Sequence, residues 1–283
     1  MAPALLLSLL LSQPKVLLYA VHGDANELTS YDVSTWEAGS KLFIAVDQAS
    51  LREEPSEDAR VLSTLALGAP VTVKQRLGER VRVLDRVDYW YQVEAKGVDG
   101  RPVTGHVFGN LLTPLRVEGD FDGDGEKEVA TVAMTADFKI RVRVMEPKLP
   151  PTQRVANLDL RPGGQGPGGS AQVSFVEAKK AGVPLLLVES TPEGGSSNFK
   201  TYVSYLVPTH KRGALGSVVE SLSLGELSDP PVQVRHAVSF DRRKKRLISV
   251  ETNKGELKSG KTVKIRHIYQ WKDGVYAEEH KGR

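Results

Sequence analysis

Lys139-Ile140-Arg141-Val142-Arg143-Val144 puts an apolar β-branched side chain at every second position and a basic one between. That is the period of a strand with one face buried and the other wet. The same alternation or β-branching recurs at Val71–Val73, Val81–Leu84, Tyr91–Val93, Gln172–Val176, Tyr202–Val207 and Thr262–Trp271. Pro184–Glu189 is instead a continuous apolar run, which suits a strand covered on both faces. Asp99-Gly100, Gly194-Gly195 and Asp273-Gly274 supply turn signals between these stretches. No long stretch carries a helical stripe, so the expected class is all-β.

The chain has 283 residues, of which 40% are hydrophobic and 26% charged, enough apolar side chain for a packed globule. At about 150 residues per domain, two compact units are expected. With no cysteine, disulfides, thiolate metal sites, a cysteine nucleophile and a lipidated N-terminal cysteine are all excluded. Leu5–Leu11 is apolar except for Ser8, too short to span a bilayer but suited to the core of a signal peptide. Ser12 and Ala20 are the two cleavage points it offers. Later segments lack the length and apolarity of a membrane span. Composition also breaks near Thr113-Pro114 and at Arg161–Ser170, R-P-G-G-Q-G-P-G-G-S, which reads as a flexible surface loop.

Positive charge gathers at the C-terminal end. Residues 231–283 hold 14 Lys and Arg against 6 Asp and Glu, whereas the whole chain is only +3. The densest cluster, Arg242-Arg243-Lys244-Lys245-Arg246, lies between two alternating apolar stretches and is expected to be a solvated hairpin turn. It has no interleaved aromatics to stack on bases, which argues against nucleic acid.

Between Lys41 and Thr113 the landmarks come in a telling order: Leu51-Arg52-Glu53-Glu54-Pro55, then Val61–Leu65, Leu67-Gly68 and Val71–Val73. Trp90-Tyr91-Gln92-Val93, Gly105-His106-Val107-Phe108 and Leu111 follow. This order resembles the bacterial SH3-like domain, with its L-R-x-x-P, V-x-x-x-L, W-Y-x-V and G-x-V segments. It departs from that pattern in a charged insertion, Arg76–Val87, and in His106 where an aromatic is usual. The resemblance implies a small β-barrel outside the cytoplasm that engages cell-wall peptide or an envelope protein. Tyr89, Trp90, Tyr91 and His106 are the side chains suited to that contact, although alternation along the strand sends one of Trp90 and Tyr91 into the core.

Gly119–Val129, G-D-F-D-G-D-G-E-K-E-V, follows the barrel. Asp120, Asp122 and Asp124 stand at loop positions 1, 3 and 5, Glu126 at 7 through its carbonyl, and Glu128 at 9. Carboxylates spaced this way on a glycine-permitted turn can meet at one hard cation, which takes six to eight oxygens at about 2.3–2.6 Å. Thr131 stands where an EF-hand would place its bidentate Glu, and a strand pattern follows. The loop resembles the calcium loop of FG-GAP or VCBS-type propeller repeats, which implies a structural Ca2+. Only one copy is present, so residues 115–283 are expected to form a partial propeller-like or sandwich β-domain.

Gly255–Thr262 spells G-x-x-x-x-G-K-[ST], but Thr262 leads into a strand pattern where a phosphate-binding loop must open a helix. Nucleotide binding is rejected on that ground. The histidines form no H-E-x-x-H motif and no close pair in sequence, and G-x-S-x-G is absent. The organisation expected is a signal peptide at 1–20, a linker at 21–40, an SH3-like domain at 41–114 and a β-rich domain at 115–283. The function expected is a periplasmic or secreted, non-catalytic binding or scaffolding protein that does not span the membrane. The alternative is a cell-wall hydrolase or other enzyme whose site lies in the second domain without a local signature.

Overall fold

A computed structural model describes residues 16–21, 31–33, 35–84, 86–134, 140–160, 168–192, 198–206, 218–226, 233–254 and 262–279. Strands dominate these residues, and the class is all-β. Residues 1–15, the Gly194-Gly195 turn signal and most of the 161–170 and 255–262 motifs lie outside the described residues.

In chain order, β1 (Val16–Val21) and β2 (Tyr31–Val33) come first. The barrel follows: β3 (Lys41–Ile44), β4 (Ala49–Arg52), β5 (Val61–Leu65), β6 (Pro70–Val83), β7 (Arg86–Lys96), β8 (Pro102–Phe108) and β9 (Leu112–Thr113). These seven form one sheet ordered β5-β4-β8-β7-β6-β3-β9. Its interior is packed by Leu42, Ile44, Leu51, Leu65, Val71, Val73, Tyr91, Val93 and Val107. Gly105 is required where β8 meets β4, because a Cβ there would fall 2.7 Å from the Arg52 carbonyl oxygen. The charged insertion at 76–87 does not interrupt the barrel. It extends β6 and β7 as one long hairpin that leaves Leu84 exposed.

Next come β10 (Arg116–Gly119), β11 (Glu128–Met134), β12 (Ile140–Met145) and β13 (Val155–Leu160), a four-stranded antiparallel meander. A second meander holds β14 (Gly168–Val176), β15 (Leu185–Pro192), β16 (Asn198–Leu206) and β17 (Val218–Glu226), with α1 (Ala178–Ala181) between its first two strands. The third is β18 (Gln233–Asp241), β19 (Arg246–Lys254), β20 (Val263–Lys272) and β21 (Val275–Glu278). Residues 242–245 form the turn between β18 and β19, as the basic cluster predicts, and Thr262 leads into β20.

The three meanders pack in series. Val132, Ile140, Val142 and Val144 of the first meet Leu186, Val188, Val203 and Tyr205 of the second. The opposite face of the second, with Leu185, Tyr202 and Leu224, meets Leu247 and Phe240 of the third. The middle sheet is therefore buried on both faces, which is why Leu185–Val188 reads as an unbroken apolar run.

The stretch expected as leader and linker carries two strands of its own. β1 pairs antiparallel with β14 and with β2, adding both to the edge of the middle meander. Its Val-Leu-Leu-Tyr-Ala-Val sequence is as apolar as a leader core, so sequence alone does not part the two. Gly168–Ser170, expected as loop, likewise belongs to β14 and pairs with β1.

Candidate functional site

Register on β7 and β8 sorts the four residues nominated for ligand contact. Tyr91 faces the barrel interior and is 0% exposed; its phenol oxygen accepts the Trp36 N–H at 3.4 Å. Burial pushes that phenol up to about 12. Trp90 points to the opposite face yet is only 7% exposed, its ring tilted against Phe108 at 5.4 Å. Neither side chain is available to a ligand, and the expectation that one of the pair would stay outside gives way to burial of both. Trp90 finds on the outer face the apolar cover that alternation alone does not reveal.

Tyr89 is half-buried, edge-on to Tyr91 at 6.4 Å, with the Arg76 guanidinium 4.7 Å over its ring. His106 pairs in register with Gln92 and Arg52, on the outer face with Trp90. Its Nδ1 meets the Glu53 carbonyl at 2.9 Å. The neighbouring turn is clasped by Arg60, which donates to both Glu53 oxygens at 2.9 and 2.7 Å, and by Arg52, which donates to the Ala59 carbonyl. Tyr89 and His106 thus occupy opposite faces of the β7–β8 pair, and the four residues do not form one cluster.

The acidic loop does form one. It joins β10 to β11, whose register pairs Gly119 with Glu128. Asp120 accepts the N–H groups of Gly123 and Gly125 at 2.7 and 3.1 Å. Asp122 accepts from Asp124, and Asp124 from Glu126. Gly123 and Gly125 have φ of +86° and +95°, the left-handed backbone that glycine adopts without a Cβ clash. Phe121 anchors the loop below, T-shaped on Phe175 at 5.2 Å.

Ligand oxygens of Asp120, Asp122 and Asp124 all lie within 4.8 Å of one another. Glu128, at the start of β11, is not one of that trio. It is 0% exposed, its Oε2 accepts the Phe121 N–H at 2.6 Å, and its buried Oε1 has no hydrogen-bond partner. Burial drives its carboxyl up to about 8 against the pull of that N–H, helped by the charges of Asp122, Glu146 and Asp124. Burial raises Asp122 as well. The oxygen-only set of three aspartates fits a hard divalent cation, and the unbonded Glu128 oxygen lies outside that set. The Glu126 side chain lies apart, ion-paired with Lys148.

Among the described residues no helix is long and apolar enough to cross a membrane. No curated protein and no solved structure matches the chain. Residues 47–100 match the family model of the bacterial SH3 domain, so the barrel from β4 to the turn after β7 is such a domain.

Proposed function

We propose that this chain is an exported, non-catalytic binding protein whose SH3 barrel engages cell-envelope material and whose second unit is stiffened by Ca2+. The bacterial SH3 match at 47–100 is the observation that carries it. Of the four nominated residues, Tyr89 and His106 keep partial exposure, on opposite faces of the β7–β8 pair, and each is open to a ligand from its own side. Trp90 and Tyr91 hold their strand in place from its two faces. Purified protein incubated with insoluble peptidoglycan at low salt should be depleted from the supernatant, less so for Tyr89→Ala and His106→Ala. Full recovery in the supernatant would overturn wall binding, and capture of one stoichiometric envelope protein instead would identify a peptide-type partner.

The cation half of the reading rests on the loop carboxylates Asp120, Asp122 and Asp124, with the buried Glu128 proposed as a fourth donor. The donors belong to one tight hairpin loop, which is the setting of a structural ion that stiffens the turn. Ligand that binds only the native state raises the melting temperature. Calorimetric melting in EDTA and then in millimolar Ca2+ should show a clear rise that Asp122→Ala abolishes; equal melting in both would sink the calcium role.

A further inference from the structure

The half of β20 that β21 does not reach is a sheet edge. β21 pairs with residues 269–272 of β20, and the Glu279 N–H, which donates to the Ile268 carbonyl, is the last described bond on that side. From Val263 to His267 the strand is paired with β19 alone among the described residues. Backbone groups of a strand point alternately to its two sides. Ile268 faces the β21 side, so the N–H and C=O of Lys264 and Arg266 face it too, where no described strand stands. We propose that this edge takes an extended acidic peptide as an added strand, one with Asp or Glu at alternate positions and apolar residues between.

Charge selects that occupant. Leu247 and Tyr269 stand opposite each other on the face packed against the second meander. Lys264 and Arg266 stand opposite Thr252 and Val250 on the other face, and Arg235 faces Thr252 from β18. Lys254, one step further along the same face of β19, joins them. All four cations are exposed, and none has a hydrogen-bond or ion-pair partner among the described residues. The described carboxylates of this face are engaged elsewhere: Asp241 accepts the Lys244 N–H, and Glu279 pairs with Arg246. Val263 and Ile265 alternate with the cations along β20 and are 36% and 41% exposed.

An added strand sets one of its residues opposite each residue of the edge. Opposite Lys264 and Arg266 a carboxylate is favoured and a cation disfavoured. Opposite Val263 and Ile265 an apolar side chain covers exposed hydrocarbon. Pairing with a second copy of the same edge sets cation against cation. The chain's own residues 280–283, His-Lys-Gly-Arg, carry no acid and would do the same. Cations along an edge keep most strands off it. A strand of opposite charge is the one they admit.

The full chain is titrated at low salt with a fluorescein-labelled octapeptide that alternates Glu and Val, and binding is read by anisotropy. The alternating peptide should bind, and high salt should weaken it. An octapeptide alternating Lys and Val should not bind, nor should the block isomer that groups the Glu residues together. Lys264→Glu and Arg266→Glu should each weaken binding at least about fivefold. The double variant should take the Lys-Val octapeptide instead. On the unmodified chain, saturating Glu-Val peptide should slow hydrogen exchange of the Lys264 and Arg266 amides at least about tenfold. That readout needs no variant to fold. Absence of binding, equal binding of the block isomer, or amides still unprotected at saturation overturns the proposal. Amides already protected in the free chain overturn it equally, because another segment then holds the edge.

Discussion

Glu128 sits with both carboxyl oxygens shut away from water and only Oε2 bonded. Its carboxyl is raised to about 8 in the folded chain from an ordinary value of 4.5. Between those values the native state binds more protons than the unfolded one, so this residue's contribution to stability falls as pH rises. In EDTA the melting temperature should therefore decline between about pH 5 and 8. Saturating Ca2+ should remove much of the decline, because the cation then neutralises the carboxylate in place of the proton. Glu128→Gln, neutral at every pH, should flatten the EDTA profile and lose most of the calcium-induced rise. Identical pH profiles for the two proteins in EDTA would show that Glu128 titrates normally. Tyr91 and Tyr89 give a second residue-scale contrast. Tyr91→Ala empties the barrel interior and should cost about 3–5 kcal/mol in denaturant melts. Tyr89→Ala should cost about 1 kcal/mol, the loss of a half-buried ring and its Arg76 contact, and should act on envelope binding.

Single elements show where sequence reading succeeds and where it stops. Alternation identified β12 and β20, and the unbroken apolar run identified β15 as a strand covered on both sides. The aspartate spacing likewise located a loop on which three carboxylates meet, because all three are local. Trp90 was less legible, since the apolar cover on its outer face comes from Phe108, which is distant in sequence. The open edge of β20 was not legible at all. It exists only because β21 pairs with residues 269–272 and stops there, and no spacing rule encodes a register. The Val16–Val21 stretch is a third kind of case, where a leader core and an edge strand ask for the same residues. Because β1 bridges β14 and β2, the two candidate cleavage points have different consequences. A chain starting at Gln13 should melt like the full chain. One starting at Val21 loses β1 and exposes the edge of β14, so it should melt several degrees lower. Equal melting of the two truncations would show that β1 contributes nothing to the second unit.

At the scale of the molecule, the barrel and the first meander are joined by polar contacts that a flexible tether would not make. Arg154 on the turn before β13 donates to both oxygens of Asp47 at 2.7 Å, and Leu67 N–H donates to the same carboxylate. The Ala45 carbonyl accepts from Thr131 Oγ1 and Arg143 Nη1, each at 3.2 Å. Thr113 Oγ1 donates to the Val132 carbonyl at 2.6 Å. Gly68 lies so close to β11 that a Cβ would fall 2.4 Å from Val129 Cγ1. Burial pushes the Asp47 carboxyl up, but Arg154 and the backbone N–H groups of Leu67 and Gln48 outweigh it and hold it below its ordinary value. The pair is 8% exposed on the Asp47 side and 19% on the Arg154 side, too enclosed for water to replace a lost partner. Removing either partner leaves a buried charge alone, so Asp47→Ala and Arg154→Ala should each cost about 2–4 kcal/mol. Together they should cost little more than one of them, because the double variant buries no orphaned charge. Such coupling would mean that the SH3 barrel and the acidic-loop meander unfold together, so that a cation, if the loop takes the proposed one, would steady the barrel across this joint. Singles whose costs simply add, or two separate melting transitions of which Ca2+ moves only one, would instead make the barrel an independent module.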